Sequence, residues 1–377
     1  MVLGSFFLLE DFWAVCSTSG LVFGRPEKMM TTRKSVVQHL VMVLVMVLPY
    51  AYGQGAPIQR DSPRPQRFTT EQLRDAGTGL PTWTGSFVYQ GRTYSYVMVG
   101  TDPAKGSATT KIPTAIIPLK LTFSDGTVFD ASGPLYSYHN ASATQAIVAS
   151  PIFKATDFTA GTVDLGTTQY VDAFQRGNFW SSVSTVAPNY HVLLKPIIGP
   201  VQSFTVPASG GHTIQGPLPG TKRGILNGSY IDQNITGPLF NKFQQITPGV
   251  FTIFLTYNVF PAGAYGYHDA WGSDPATAKT YTYVSYLDPY TNPIDADIST
   301  LAHEVAEWMD DAYINNFTPC GILEVGDPVS DVIFEVKRNG ITWHPQDLVF
   351  LGYFSYDPSQ SVNDWFTFRN TFSQPCQ

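Results

Sequence analysis

Asp297-Ile298-Ser299-Thr300-Leu301-Ala302-His303-Glu304-Val305-Ala306-Glu307-Trp308-Met309-Asp310-Asp311 is the stretch on which the reading of this chain turns. Ile298, Leu301, Ala302, Val305 and Met309 recur at helical spacing, so the segment is expected to form an amphipathic helix docked on a core by that stripe. Asp297 is the expected N-cap, after a loop marked by Pro293 and Asp295. On such a helix His303 and Glu307 fall on one face, to the side of the stripe. The related His-Glu-x-x-His pattern uses this spacing to place two ligands on one Zn²⁺, while the Glu beside the first ligand polarises a water. Here Glu307 takes the second position, and a carboxylate also binds zinc. The competing reading is an ordinary amphipathic helix with a surface pair of Glu residues and a His at the edge of the core.

The next acidic segment is Cys320-Gly321-Ile322-Leu323-Glu324-Val325-Gly326-Asp327-Pro328. Its placement resembles the segment with which thermolysin-like zinc proteases supply a third ligand from a Glu, followed by an Asp that fixes the imidazole of the first. That resemblance implies His303, Glu307 and Glu324 as zinc ligands, Glu304 as general base and Asp327 as the group orienting His303. The alternative is a turn before Pro328, capped by Asp327. His268, in Tyr265-Gly266-Tyr267-His268-Asp269-Ala270-Trp271, follows a strand. It is a candidate catalytic residue that would hydrogen-bond a tetrahedral intermediate, with a structural role as the alternative.

More widely, residues 303–311 and 323–328, with His344-Pro345-Gln346-Asp347-Leu348-Val349-Phe350, resemble a family of secreted bacterial metalloprotease-like proteins carrying His-Glu-x-x-Glu. The helix, the acidic segment and Gly266-Tyr267-His268 are more distantly similar to the plant phosphate-induced, exordium-like proteins. The resemblance runs from residue 265 to the C-terminus. It implies an extracellular or periplasmic protein with a zincin-like region built on one metal-site helix.

The early sequence agrees with export. Met29-Met30-Thr31-Thr32-Arg33-Lys34 is a short basic region leading into an apolar run over 36–48, then Pro49 and Ala51-Tyr52-Gly53. The run falls short of the ~20 residues a membrane helix needs, so it reads as the core of a signal peptide. An uncleaved anchor is the alternative. Residues 1–53 are therefore expected to be a presequence whose true start is Met29 or Met30, 54–80 a linker, and 81–377 one domain. Cys16 would leave with the presequence, and the remaining pair, Cys320 and Cys376, is expected to form a disulfide in an oxidising compartment.

Charged residues are only 14% of the chain, while Gly (32) and Pro (28) are plentiful, which suits a turn-rich β protein. A net charge of -7 and the lack of a Lys/Arg cluster exclude a nucleic-acid footprint. Strands are expected over 82–133, with turns at Gly91-Arg92 and Ser124-Asp125-Gly126, and again over 190–206, 251–257 and 280–287. Residues 69–74, 144–154 and 169–179 have helical character. The fold class is thus α+β, with a β-rich N-terminal part and the metal-site helix late. Asp288, Asp295 and Asp297 could bind Ca²⁺ or simply serve turns, and Asn140, Asn227, Asn234 and Asn316 lie in glycosylation sequons.

Two functions remain open. One is a secreted zinc-dependent peptidase acting on a peptide or protein, with no membrane span after signal cleavage. The other is a non-enzymatic extracellular or wall-associated protein with a structural metal or none. The export reading predicts that N-terminal sequencing of exported protein finds a start near Gln54; a start before Gly53 would contradict it.

Overall fold

In the computed structural model, residues 77–137, 140–292 and 296–376 are described, all within the unit Gly55–Gln377. The expected presequence, the helical turn at 69–74 and Asp295 lie outside them.

The hairpin expected around Gly91-Arg92 is present with its turn one residue earlier: β1 (Thr82–Tyr89) and β2 (Arg92–Val99) pair antiparallel through Gln90-Gly91, and Arg92 opens β2 opposite Tyr89. Both turn residues have positive φ, 49° and 78°, as a two-residue hairpin turn requires. Strand β3 (Thr109–Phe123) then runs for 15 residues and becomes the axis of the sheet. It turns back at Ser124-Asp125-Gly126 into β4 (Val128–Asp130), again as expected. Next come α1 (Ala143–Ala149), the hairpin β5 (Thr156–Ala160) and β6 (Val163–Thr168), α2 (Tyr170–Asn178) and α3 (Trp180–Val183). Strands β7 (His191–Ile198) and β8 (Gln202–Val206) follow, then β9 (Gly211–Gln215) and β10 (Lys222–Leu226), and the short helices α4 (Gly228–Ile231) and α5 (Gly237–Lys242). The chain returns through β11 (Phe251–Tyr257), β12 (Val259–Pro261), β13 (Gly266–Trp271) and β14 (Lys279–Tyr286) to reach α6 (Ser299–Asp310), the motif helix.

The central pairings are parallel. β3 pairs with β7 on one side and β11 on the other, and β11 pairs parallel with β14; β13 closes the edge antiparallel to β14. Beyond Pro118, where the ladder to β11 ends, β3 takes β8 and β4 as neighbours instead. A proline has no N–H to give a ladder, so a change of partners there is physically economical. Parallel neighbours need crossovers, which α1, α2 and the α4–α5 segment provide around β3, whereas β11 reaches β14 through β12 and β13. The near-continuous apolar runs of β3 and β11 follow from burial on both faces. Ile112, Ile116, Ile253, Leu255 and Val284 pack with α2 and α6, whereas Ala115, Ile117, Phe254 and Tyr283 pack with α4 and α5. The fold is thus strand-rich and mixed α+β.

Helix α6 buries the predicted apolar stripe. Its Trp308 stacks on Phe251 at 3.8 Å between ring centroids and donates its indole N–H to Thr280 Oγ1 at 2.9 Å. One expectation is corrected: Asp297 does not cap this helix. The helix starts at Ser299 after Ile298, and Asp297 sits at φ 44° with its carboxylate accepting the backbone N–H of His344 (2.9 Å) and facing His344 Nδ1 (2.8 Å). Asp288 likewise accepts the amide N–H of Tyr136 and the Tyr257 hydroxyl, each at 2.8 Å, so both carboxylates serve contacts distant in sequence. Of the sequon asparagines, Asn140, Asn227 and Asn234 are exposed, but Asn316 is buried and its side chain is committed to Val97 and Asp310.

Cys320 and Cys376 lie at disulfide distance, with Cα atoms 6.3 Å apart, and tie the C-terminal tail to the segment preceding Glu324. Among the described residues no helix is long and apolar enough to cross a membrane. Closing a loop of this length stabilises the fold by up to about 4 kcal/mol in the chain-entropy model. Thermal melts with and without reductant should therefore differ by several degrees; identical melts would show that the bridge constrains nothing.

Candidate metal centre

Three elements converge on one point. Helix α6 supplies His303, Glu304 and Glu307; β13 supplies His268, opposite Thr282 of β14; the segment after α6 supplies Glu324 and Asp327. That last segment is bent back by polar ties that begin at the helix end. The Asp311 carboxylate accepts the N–H groups of Asn315 and Asn316, both at 2.9 Å, and Asn316 exchanges two 2.8 Å hydrogen bonds with the Val97 backbone of β2. Leu323 and Val325 are then fully buried, and Gly326 N–H donates to Glu307 Oε1 at 3.1 Å. A Cβ at Gly326 would come within 2.6 Å of the His303 ring, and one at Gly266 within 2.8 Å of Glu304 Oε1. Both positions therefore need glycine for the backbone to approach the site.

Glu307 is central. Its Oε1 lies 3.0 Å from His303 Nε2, and its Oε2 lies 3.6 Å from His268 Nδ1. Asp327 Oδ1 is 3.5 Å from His303 Nε2, while Glu304 Oε2 and Glu324 Oε2 are 3.8 and 4.0 Å from His268 Nδ1. Two sets of donor atoms, each within 4.8 Å of one another, result: His303, Glu307 and Asp327 in one, and His268, Glu304 and Glu307 in the other.

The outer nitrogen of each imidazole is held by a backbone or amide oxygen. His268 Nε2 faces the Asp311 carbonyl at 3.1 Å, and His303 Nδ1 faces Gln346 Oε1 at 3.0 Å. Gln346 is itself oriented by donating its amide to the Gly326 carbonyl at 2.7 Å. Each outer nitrogen thus carries a proton toward an acceptor, and each inner nitrogen points into the carboxylates. Ligating histidines are oriented in this way.

The sequence-derived roles shift accordingly. Glu324, expected as a ligand beside His303, instead has Oε2 4.0 Å from His268 Nδ1 and belongs to neither set of mutually close donors. Asp327 stands on that Nε2 face, in a ligand position, and Gln346 occupies the orienting position expected for it. His268 lies in a strand and not after one; its ring is buried with both nitrogens committed, which suits a ligand better than a donor to substrate. Gln346 carried no spacing signal, being 43 residues from His303.

A cavity of about 210 Å³ adjoins the cluster, lined by His303, Glu304, Asp327 and Gln346 with Thr300 and Gly266. The Asp327 side chain is 68% exposed, so this side is wet, whereas His268, Glu304 and Glu307 are buried. Glu304 Oε2 is buried without a hydrogen-bond partner.

The electrostatics show a shortage of positive charge. Burial alone would lower both imidazoles, but the carboxylates outweigh it: Glu324, Glu304 and Glu307 hold His268 well above its ordinary range, and Glu307, Glu304 and Asp327 do the same for His303. Burial, reinforced by Glu307, pushes Glu324 up to about 9, and burial also raises Glu304. Glu307 is held low despite its burial, because His303 and His268 flank it. A divalent cation would relieve the imbalance, and the donor types fit one. No family model, curated protein or solved structure matches this chain.

These shifts set a pH dependence. Raised imidazoles stabilise the metal-free fold at low pH, and that stability is lost as pH rises through their folded values. Glu324, favoured neutral in the fold, costs stability increasingly from pH 4.5 to about 9. Glu307 acts oppositely, but its contribution is complete above the ordinary carboxylate range. Metal binding displaces imidazole protons, so it strengthens with pH. The gap in Tm between metal-loaded and chelated protein should therefore widen between about pH 6 and about 9; a constant gap would contradict this account.

Proposed function

We propose that this chain is an exported, zinc-dependent hydrolase of peptide bonds. The observation that carries the reading is Glu304 Oε2, a buried carboxylate oxygen without a hydrogen-bond partner, on a residue that lines a cavity shared with His303 and Asp327. An unpartnered buried carboxylate is costly unless it has work to do. His303 Nε2, Glu307 Oε1 and Asp327 Oδ1 would hold the ion on the cavity side. When bound, Zn²⁺ supplies Lewis acidity toward a carbonyl oxygen and makes water acidic at neutral pH.

The protein's own part is then to position and to move a proton. Glu304, with its carboxyl raised by burial, takes the proton of the attacking water and returns it to the leaving amine. Gln346 keeps His303 facing inward, and Gly326 N–H fixes Glu307. Two carboxylate ligands leave zinc less positive than a two-histidine site does, so activity is expected to favour higher pH. The likeness of the helix segment to secreted His-Glu-x-x-Glu proteins supports this reading, as do the paired cysteines for export. A structural metal fits the inner group, His268, Glu304 and Glu307, which is buried throughout.

Glu304→Gln should retain metal and lose chelator-sensitive cleavage by roughly 10²–10⁴-fold, since proton transfer alone is removed. His303→Ala should lose the cavity-side metal. Gln346→Leu should cost roughly 10–100-fold in metal affinity by releasing the imidazole. A peptide-library digest with and without chelator, beside metal analysis, is the check. Cleavage by Glu304→Gln at the parent rate would overturn the mechanism.

A further inference from the structure

We propose that the centre holds two divalent cations bridged by Glu307. This rests on the reading of the cluster as a metal site and extends it to nuclearity.

The first argument is the division of donors. His303 and His268 belong to separate sets of mutually close atoms, and Glu307 alone is common to both. Its two oxygens face different imidazoles, Oε1 at 3.0 Å from His303 Nε2 and Oε2 at 3.6 Å from His268 Nδ1. This is the disposition of a carboxylate bridging two ions, and paired sites place their ions about 3.5–4 Å apart. Each position then has an imidazole, one oxygen of Glu307 and a further carboxylate: Asp327 outside and Glu304 inside, with Glu324 Oε2 beside the inner position at 4.0 Å from His268 Nδ1.

The second argument is charge. Glu304, Glu307, Glu324 and Asp327 surround two imidazoles, and every ion pair they make among the described residues is to a histidine. One divalent ion takes one inner nitrogen as ligand and leaves the other imidazole protonated, so with all four carboxylates ionised one negative charge stays uncompensated in a largely buried site. A pair balances all four carboxylates.

Third, Glu304 Oε2 is buried without a hydrogen-bond partner, its ion pair with His268 Nδ1 stretched to 3.8 Å. It faces the inner position, where it completes an oxygen-rich environment while its carboxylate still lines the cavity. A tetrahedral ion with bonds of about 2.1 Å separates its donors by about 3.4 Å. The outer spacings, 3.0 and 3.5 Å, match that value, and the inner ones, 3.6–4.0 Å, exceed it. The inner position, with one imidazole amid carboxylates, suits Mn²⁺ at least as well as Zn²⁺.

The test is to strip the purified protein with chelator, reload it with Mn²⁺, and measure bound metal together with the electron paramagnetic resonance spectrum. Two ions per chain with a spin-coupled signal are expected. His268→Gln, with its fold checked by circular dichroism, should bind one ion and give an uncoupled six-line signal. Should His268→Gln fail to fold, the stoichiometry and coupling in the unsubstituted protein decide alone. One ion per chain at saturation overturns the pair. The outcomes separate this inference from the proposed function: two coupled ions without peptide cleavage support the pair and sink the peptidase, whereas cleavage with one ion does the reverse.

Discussion

Glu307 is buried between two imidazoles, with a different oxygen turned to each, and the surrounding structure is arranged to keep it there. Placing that carboxylate requires a helix on which position i+4 falls beside His303, an edge strand that brings His268 under it, and a return segment whose Gly326 N–H meets it. The apolar stripe of α6 and the stacking of Trp308 on Phe251 fix the helix against the sheet. The acidic segment is held by Asp311 and Asn316, which bind the turn after the helix to the first hairpin. Charge concentration of this kind is expensive to bury and persists only when something positive offsets it.

Much of this was legible in the sequence, for identifiable reasons. The motif helix could be read because its apolar residues and its His303/Glu307 pair share one period. Both early hairpins could be read because a tight turn is local information: Gly91 places the first turn to within one residue, and Ser124-Asp125-Gly126 marks the second. The Cys320–Cys376 pairing could be read because two cysteines remain once Cys16 is set aside.

What was hidden is non-local. The parallel ladders β3–β7, β3–β11 and β11–β14 join segments separated by whole crossovers, and no spacing rule encodes such a pairing. His268 was read as following a strand, but it lies within a short edge strand that begins at Gly266, a residue type depleted in strands. The exchange of parts between Asp327 and Gln346 was also invisible: an amide far along the chain takes the orienting position, which frees the carboxylate to face Nε2. Asp297 looked like a helix cap because its residue type fits one, yet tertiary context gives it to His344.

The central claim is that this cluster is a metal centre, and anomalous diffraction at the zinc or manganese edge from crystals of the purified protein tests it most directly. The account predicts an anomalous peak at about 2.0–2.2 Å from His303 Nε2 and within bonding distance of Glu307. A site without a peak after soaking in zinc and manganese, with both imidazoles hydrogen-bonded directly to the carboxylates, would contradict it.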